Sequence, residues 1–280
     1  MKRLFLICFM VVFASMNAQV KTPQPSPAVK LQQVVGLTNF EVNYSSPSMR
    51  GREIFGNLVP LNKLWRTGAN KNTTISFDDN IVFGDTEVEA GEYAIFSEPG
   101  ENNWAIYLYK DTENWGTPRE WNEKLIVAKV EVETIQVEPA FESFTISFGH
   151  FTKDSAHLII TWENTSSHIL VKVPSDRKVM ESIEMSMKDP KPADLYNAAV
   201  YFLETDRDIT KAKMWIDEAM ESRDDKPYWM LRQQSLIYAK AGEKQMAIKL
   251  AQQSLEAAEK ARNADYVKMN KASLKEWGAY

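Results

Sequence analysis

The chain has 280 residues, 44% of them hydrophobic and 25% charged, which excludes a disordered or fibrous protein and exceeds what one minimal domain needs. Its formal charge of -5 argues against nucleic acid as a standing partner, because a phosphate backbone is held by an excess of Lys and Arg. Two compact units are the expectation.

The first 18 residues have the pattern of an export signal. Lys2 and Arg3 are basic, Leu4 to Phe13 is an unbroken apolar run, and Ala14 to Ala18 is small and neutral, with cleavage expected after Ala18. The run is about half the length of a membrane span, which takes about 20 residues, and no later stretch approaches that length. The one cysteine, Cys8, lies within it, so residues 19–280 contain none. Thiol catalysis and cysteine-built zinc sites are thereby excluded from that part of the chain. Export without disulfides fits a bacterial periplasm, cell surface or secreted protein.

Residues 19–27, with Pro23, Pro25 and Pro27, read as a linker. From Ala28 to Val173 the apolar residues recur with period two. Phe40, Val42 and Tyr44 alternate with Glu41 and Asn43; Tyr93 and Ile95 and the run Trp104 to Tyr109 follow. Val127 to Glu133, Phe144 to Phe148, Leu158 to Trp162 and Ile169 to Val173 complete the series. Asp78-Asp79-Asn80, Ala90-Gly91-Glu92, Pro99-Gly100-Glu101 and Asn164 to Ser167 punctuate it as turns. About nine short strands at this spacing predict an antiparallel β-sandwich over 28–173.

After Pro174 the period becomes helical. Ser175 and Asp176 can cap a connecting helix to about Met187, which Asp189-Pro190-Lys191-Pro192 ends, and 193–280 reads as helical hairpins. Lys211 to Met220 aligns with Met246 to Leu255 at an offset of 35 residues, a degenerate repeat. Tyr238, Gly242, Ala247 and Ala251 of the second copy sit where a tetratricopeptide-like unit places its aromatic, its turn glycine and its small packing residues. The first copy has Thr205 to Asp208 in place of the glycine turn. The fold class expected is thus α+β with segregated halves, a sandwich followed by a tetratricopeptide-like helical domain, with 174–192 between them. Residues 19–173 carry 13 Lys and Arg against 20 Asp and Glu, whereas 174–280 carry 18 against 18, so the acidity belongs to the β half.

Against that acidity, Arg50, Arg52, Lys63, Arg66 and Lys71 cluster within 22 positions, opposed there only by Glu53 and interleaved with Gly51, Gly56 and Gly68. Two readings stand. Guanidinium forks suit a carboxylate, phosphate or sulfated sugar, or the arginines pair with the acidic remainder of the domain. Trp65, Trp104, Trp115 and Trp121 are either stacking platforms for a glycan or core. Trp115, in Trp115-Gly116-Thr117-Pro118, reads as a loop residue and the one most open to solvent. The three histidines, His150, His157 and His168, are not expected to share an ion. With a turn at Asn164 to Ser167, His157 and His168 stand about five residues apart along the ladder, roughly 16 Å. Asp78-Asp79-Asn80 lacks the spaced oxygens of a calcium loop. No G-x-S-x-G, H-E-x-x-H, phosphate loop or dinucleotide fingerprint occurs.

The segment Tyr44 to Pro60, with Arg50-Gly51-Arg52, continues into Trp65-Arg66-Thr67-Gly68-Ala69-Asn70; Ala90-Gly91-Glu92-Tyr93, Trp104 and Trp115-Gly116 follow. Together these resemble the bacterial family known as domain of unknown function 2911, over roughly Ser26 to Val173. Leu61-Asn62 departs from the Tyr-Gly-like pair usual in the family. The resemblance implies an exported β-sandwich, in some members with helical repeats appended, and implies no activity.

The leading expectation is an exported, non-enzymatic binding or scaffold protein of a bacterial envelope. The β half would take a small anion or glycan and the helices a peptide or protein, without a cofactor or metal. The expected site is Arg52, Trp65, Arg66 and Asn70, with Trp115 at its edge and Glu142 as a buried partner for an arginine. The alternative is a hydrolase acting on glycans or envelope polymers, which needs two carboxylates converging beside Arg66.

Overall fold

A computed structural model describes residues 22–221 and 223–279; the export signal expected at 1–18 lies outside them. The chain divides between Ser175 and Asp176 into a β unit and a helical unit. Among the described residues no helix is long and apolar enough to cross a membrane.

Nine strands are described in the β unit: β1 (Ala28–Val35), β2 (Thr38–Ser45), β3 (Thr73–Phe77), β4 (Ile81–Phe83), β5 (Thr86–Val88), β6 (Gly91–Pro99), β7 (Asn103–Tyr109), β8 (Ile126–Gly149) and β9 (Ser155–Lys172). They form one antiparallel sheet in the order β1-β2-β3-β6-β7-β8-β9-β4-β5, open rather than closed into a barrel. The period-two pattern is the cause. In β2, Thr38, Phe40, Val42 and Tyr44 are buried while the residues between them are not.

The layers of the expected sandwich are one sheet carried round by its two long strands. The first part of β8 pairs with β7, as at Ile106 opposite Val130, and its last part pairs with β9, as at Ile146 opposite Ile160. That last part lies over β2. The Ile146 amide donates to Tyr44 Oη at 3.2 Å, and the Phe40 and Phe148 rings are 5.3 Å apart. One core results, with Phe40, Ile75, Ile95, Trp104, Phe144 and Trp162 among its buried members.

The register of β9 departs from expectation. Asn164 to Ser167 is part of a strand, not a separate turn, and the sharp bend is at Glu163, whose φ is 52°. Thr161 and Ser166 are brought hydroxyl to hydroxyl at 2.9 Å. The chain of β8 wraps the bend: Asn164 Nδ2 donates to the Val137 carbonyl, and Trp162 Nε1 to that of Glu142. The short strands expected at 127–133 and 144–148 are thus one strand, as are those at 158–162 and 169–173.

The helical unit comprises α1 (Ser175–Ser186, its first residue on the β side of the division), α2 (Pro192–Glu204), α3 (Ile209–Glu221), α4 (Tyr228–Lys240), α5 (Lys244–Lys260) and α6 (Ala264–Glu276). Pro192 opens α2, where its missing N–H costs nothing, and the Lys191 amide donates to Asp194 Oδ2 at 3.1 Å. Asn263 caps α6 by accepting from the Tyr266 amide at 3.2 Å. Ala199, Ala212, Ala247 and Ala251 are fully enclosed or nearly so, which lets neighbouring helices approach closely. Asp217 on α3 accepts from Gln234 and Tyr238 on α4, each at 2.8 Å.

Phe144 is fully buried and its ring contacts Tyr44, Trp65 and Trp162. Phe144→Ala is expected to cost the β unit about 3–5 kcal/mol, read as a lower urea midpoint by tryptophan fluorescence. A change below 1 kcal/mol would mean that this aromatic packing does not hold the layers together.

Candidate functional site

Residues 46–72 connect β2 to β3 without forming a strand of their own. The segment is pinned at Trp65, whose backbone exchanges two hydrogen bonds with Ser97 of β6, at 2.7 and 2.9 Å. The Trp65 indole stacks on Trp162 at 6.0 Å and 19°, meets Trp104 and Phe144 edge-on, and donates its Nε1 proton to the Gly68 carbonyl at 3.1 Å.

Around this anchor the backbone is strained. Thr67, a β-branched residue, has φ 53°, and Arg50 and Asn70 are also left-handed. Buried hydrogen bonds impose the Thr67 conformation: its Oγ1 and that of Ser97 are 2.7 Å apart, and its carbonyl accepts from Thr73 Oγ1 at 2.5 Å. At Gly68, φ is 145° and a methyl group would stand 3.1 Å from the Ser45 carbonyl, so only glycine fits without strain.

This loop and the segment Pro25–Ser26 enclose a half-open cavity of about 430 Å³. Arg50, Arg52 and Arg66 line it, and among the described residues none of the three pairs with a carboxylate. Arg52 donates Nε to the Met49 carbonyl at 2.8 Å and Nη2 to that of Ser48 at 2.6 Å; Arg50 Nη2 donates to the Pro25 carbonyl at 2.9 Å. The Arg66 guanidinium makes no hydrogen bond with the described residues. It lies against Gly116, where a methyl group would stand 2.8 Å from Nη1. No Asp or Glu among the described residues lines the cavity.

Arg52, Trp65 and Arg66 are therefore brought together as expected. Asn70 is not in the lining but holds its wall, donating Nδ2 to the Ser26 carbonyl at 3.3 Å and to Ser45 Oγ at 3.2 Å. Trp115 is 78% exposed and outside the lining, on the loop whose Thr117 lines the cavity and whose Gly116 lies against Arg66. Trp104 is core, and Trp121 stacks on Tyr109 at 4.4 Å. Glu142 is not a buried partner for a guanidinium. It is exposed, and its carboxylate accepts from the Arg50 backbone N–H at 2.9 Å. An extended loop gives its amides no ladder partner, and this carboxylate supplies one.

One cavity residue escapes local sequence reasoning: Trp162 arrives from β9, nearly a hundred positions beyond Trp65, and no nearby motif announces it. Arg50, a member of the basic cluster beside Gly51, lines the cavity on a par with Arg52. Asn72, one turn of the chain further on, is 3% exposed, and neither of its amide atoms finds a partner among the described residues.

The histidines lie elsewhere and correct the expected spacing. His150, His157 and His168 have ring centroids 5.2, 5.5 and 6.3 Å apart, not roughly 16 Å. A straight strand would separate His157 and His168 by about 36 Å; the bend at Glu163 removes that distance. Among the described residues no three His, Cys, Asp or Glu side chains are grouped to hold a metal ion. Burial lowers the pKa of His157 and His168 below the ordinary imidazole value, and the neighbouring His150 lowers both further.

A model of the family described as protein of unknown function (DUF2911) matches residues 26–171. No curated protein and no solved structure matches the chain.

Because the unfolded chain takes up protons at these imidazoles before the folded one does, their contribution to stability is complete above about pH 7 and is lost on acidification. The denaturation midpoint of the β unit should fall between about pH 7 and 5, and His168→Gln should flatten the dependence. An identical pH profile in the variant would show that the cluster is not its source.

Proposed function

The chain belongs to this family of unknown function, and from the cavity of its β unit we propose an exported bacterial envelope protein that binds a small anion without transforming it. The observation that carries the reading is Arg66. A guanidinium fork that lines a half-open cavity and has no partner among the described residues suits an anion, since such a fork holds a carboxylate, phosphate or sulfate through two charge-assisted bonds.

Its surroundings support the same reading. Arg50 and Arg52 are tied to carbonyl oxygens, which orient them, and neither pairs with a carboxylate among the described residues. The aromatic floor excludes water on one side and thereby strengthens attraction to an anion. A carboxylate-dependent hydrolase would need two acids beside Arg66, and the cavity wall offers arginines, hydroxyls and apolar groups instead.

Export rests on the basic and apolar pattern of residues 1–18 and on the absence of cysteine from 19–280. In the helical unit, the enclosed alanines of α2, α3 and α5 and the left-handed Gly242 between α4 and α5 support tetratricopeptide-like hairpins that present a surface to a peptide or protein.

Arg66→Ala should abolish anion binding, at least a tenfold loss, with the melting temperature unchanged, because the guanidinium makes no hydrogen bond or ion pair with the described residues. Arg52→Ala should also lose binding, with a small drop in melting temperature as the Ser48 and Met49 carbonyls are released. The check is a metabolite and glycan panel with mass detection of what remains bound, run beside thermal melts. Unfolding of the β unit by Arg66→Ala would sink the proposal.

A further inference from the structure

On that reading of the cavity, we infer that its ligand is an organic anion with an apolar body, an aryl or alkyl carboxylate, and not a polyhydroxylated acid such as a uronic sugar. The argument is the chemistry of the wall. Leu58, Val59, Leu64, Trp65 and Trp162 supply apolar lining, joined by Pro25 and Pro47. Against these stand the three arginines and the hydroxyls of Ser26, Ser48 and Thr117. Among the described residues the lining includes no Asp, Glu, Asn, Gln or His.

Sugar hydroxyls each donate and accept, and those taken out of water must be met in both roles. Arginine only donates, the Ser48 hydroxyl already bonds that of Ser143, and the carbonyls of Pro25, Ser26, Ser48 and Gly68 already accept from Arg50, Asn70, Arg52 and Trp65, so few acceptors remain for a sugar ring. A hydrocarbon or aryl body asks for none. It would also cover Leu58, which is 43% exposed at the cavity, and remove apolar surface from water.

Size points the same way. About 430 Å³ lies within the range of sites for organic ligands and far exceeds an inorganic oxyanion, which would leave the apolar wall wet. Arg52 donates Nε and Nη2 to carbonyls and Arg50 donates Nη2, whereas the Arg66 fork makes no hydrogen bond with the described residues, so a carboxylate meets it through two bonds.

The experiment titrates the full chain by calorimetry with phenylacetate, octanoate, D-glucuronate and inorganic sulfate, and with phenylacetamide as a neutral isostere. Phenylacetate or octanoate should bind at least tenfold tighter than glucuronate and sulfate, and at least tenfold tighter than phenylacetamide. Leu58→Gln should weaken octanoate several-fold without altering the response to sulfate. Glucuronate or sulfate binding as tightly as the apolar acids would overturn the inference and leave the anion site standing. Phenylacetamide matching phenylacetate, or no binding by any of the probes, would overturn the anion site and this inference with it.

Discussion

The packing of Trp65 against Trp162, Trp104 and Phe144 is the constraint on which the β unit's chemistry depends. Four large rings from different parts of the chain meet between the layers, and each can exclude water only if the others are in place. A connection as long as 46–72 would ordinarily sample many conformations. Here it is fastened at Trp65, in its second half, by an indole stacked in the core and by a two-bond exchange with Ser97. Arg66, Thr67 and Gly68 follow directly, so their directions are inherited from the core.

That arrangement also explains why an unfavourable backbone and uncompensated charges persist. A left-handed β-branched residue such as Thr67 costs on the order of 1–3 kcal/mol, which the buried hydroxyl bonds to Ser97 and Thr73 oppose. The arginines keep contact with solvent at the cavity mouth, which avoids the far larger cost of burying an unpaired ion. Strain and charge are concentrated at one place and supported from beneath by apolar packing.

Much of this was legible in the residues. Alternation in Phe40 to Tyr44 fixed a sheet, and the switch to helical spacing after Pro174 fixed its end, because period is a local property. The joining of Arg52, Trp65 and Arg66 was legible as well, since they are close along the chain and glycine marks the turns between them. What failed was non-local. Glu163 is an ordinary residue type, and only the enclosing wrap of β8 makes it a left-handed corner; without that corner the histidines cannot be placed together. Trp162 joined the cavity floor for the same reason. Glu142 was assigned to a guanidinium on charge alone, yet an orphaned backbone N–H nearby competed for it and won.

The bare guanidinium of Arg66 has a bearing on how the lineage can change. A guanidinium that makes no hydrogen bond with the described residues can be exchanged at little cost to folding, so a constraint that keeps arginine at this position would have to come from a ligand and not from the fold. Gly68 and Thr67 beside it have no such latitude, because the backbone itself is built around them. Arginine kept at this position across relatives would therefore speak for a ligand, whereas glycine and threonine kept beside it would speak for the backbone alone.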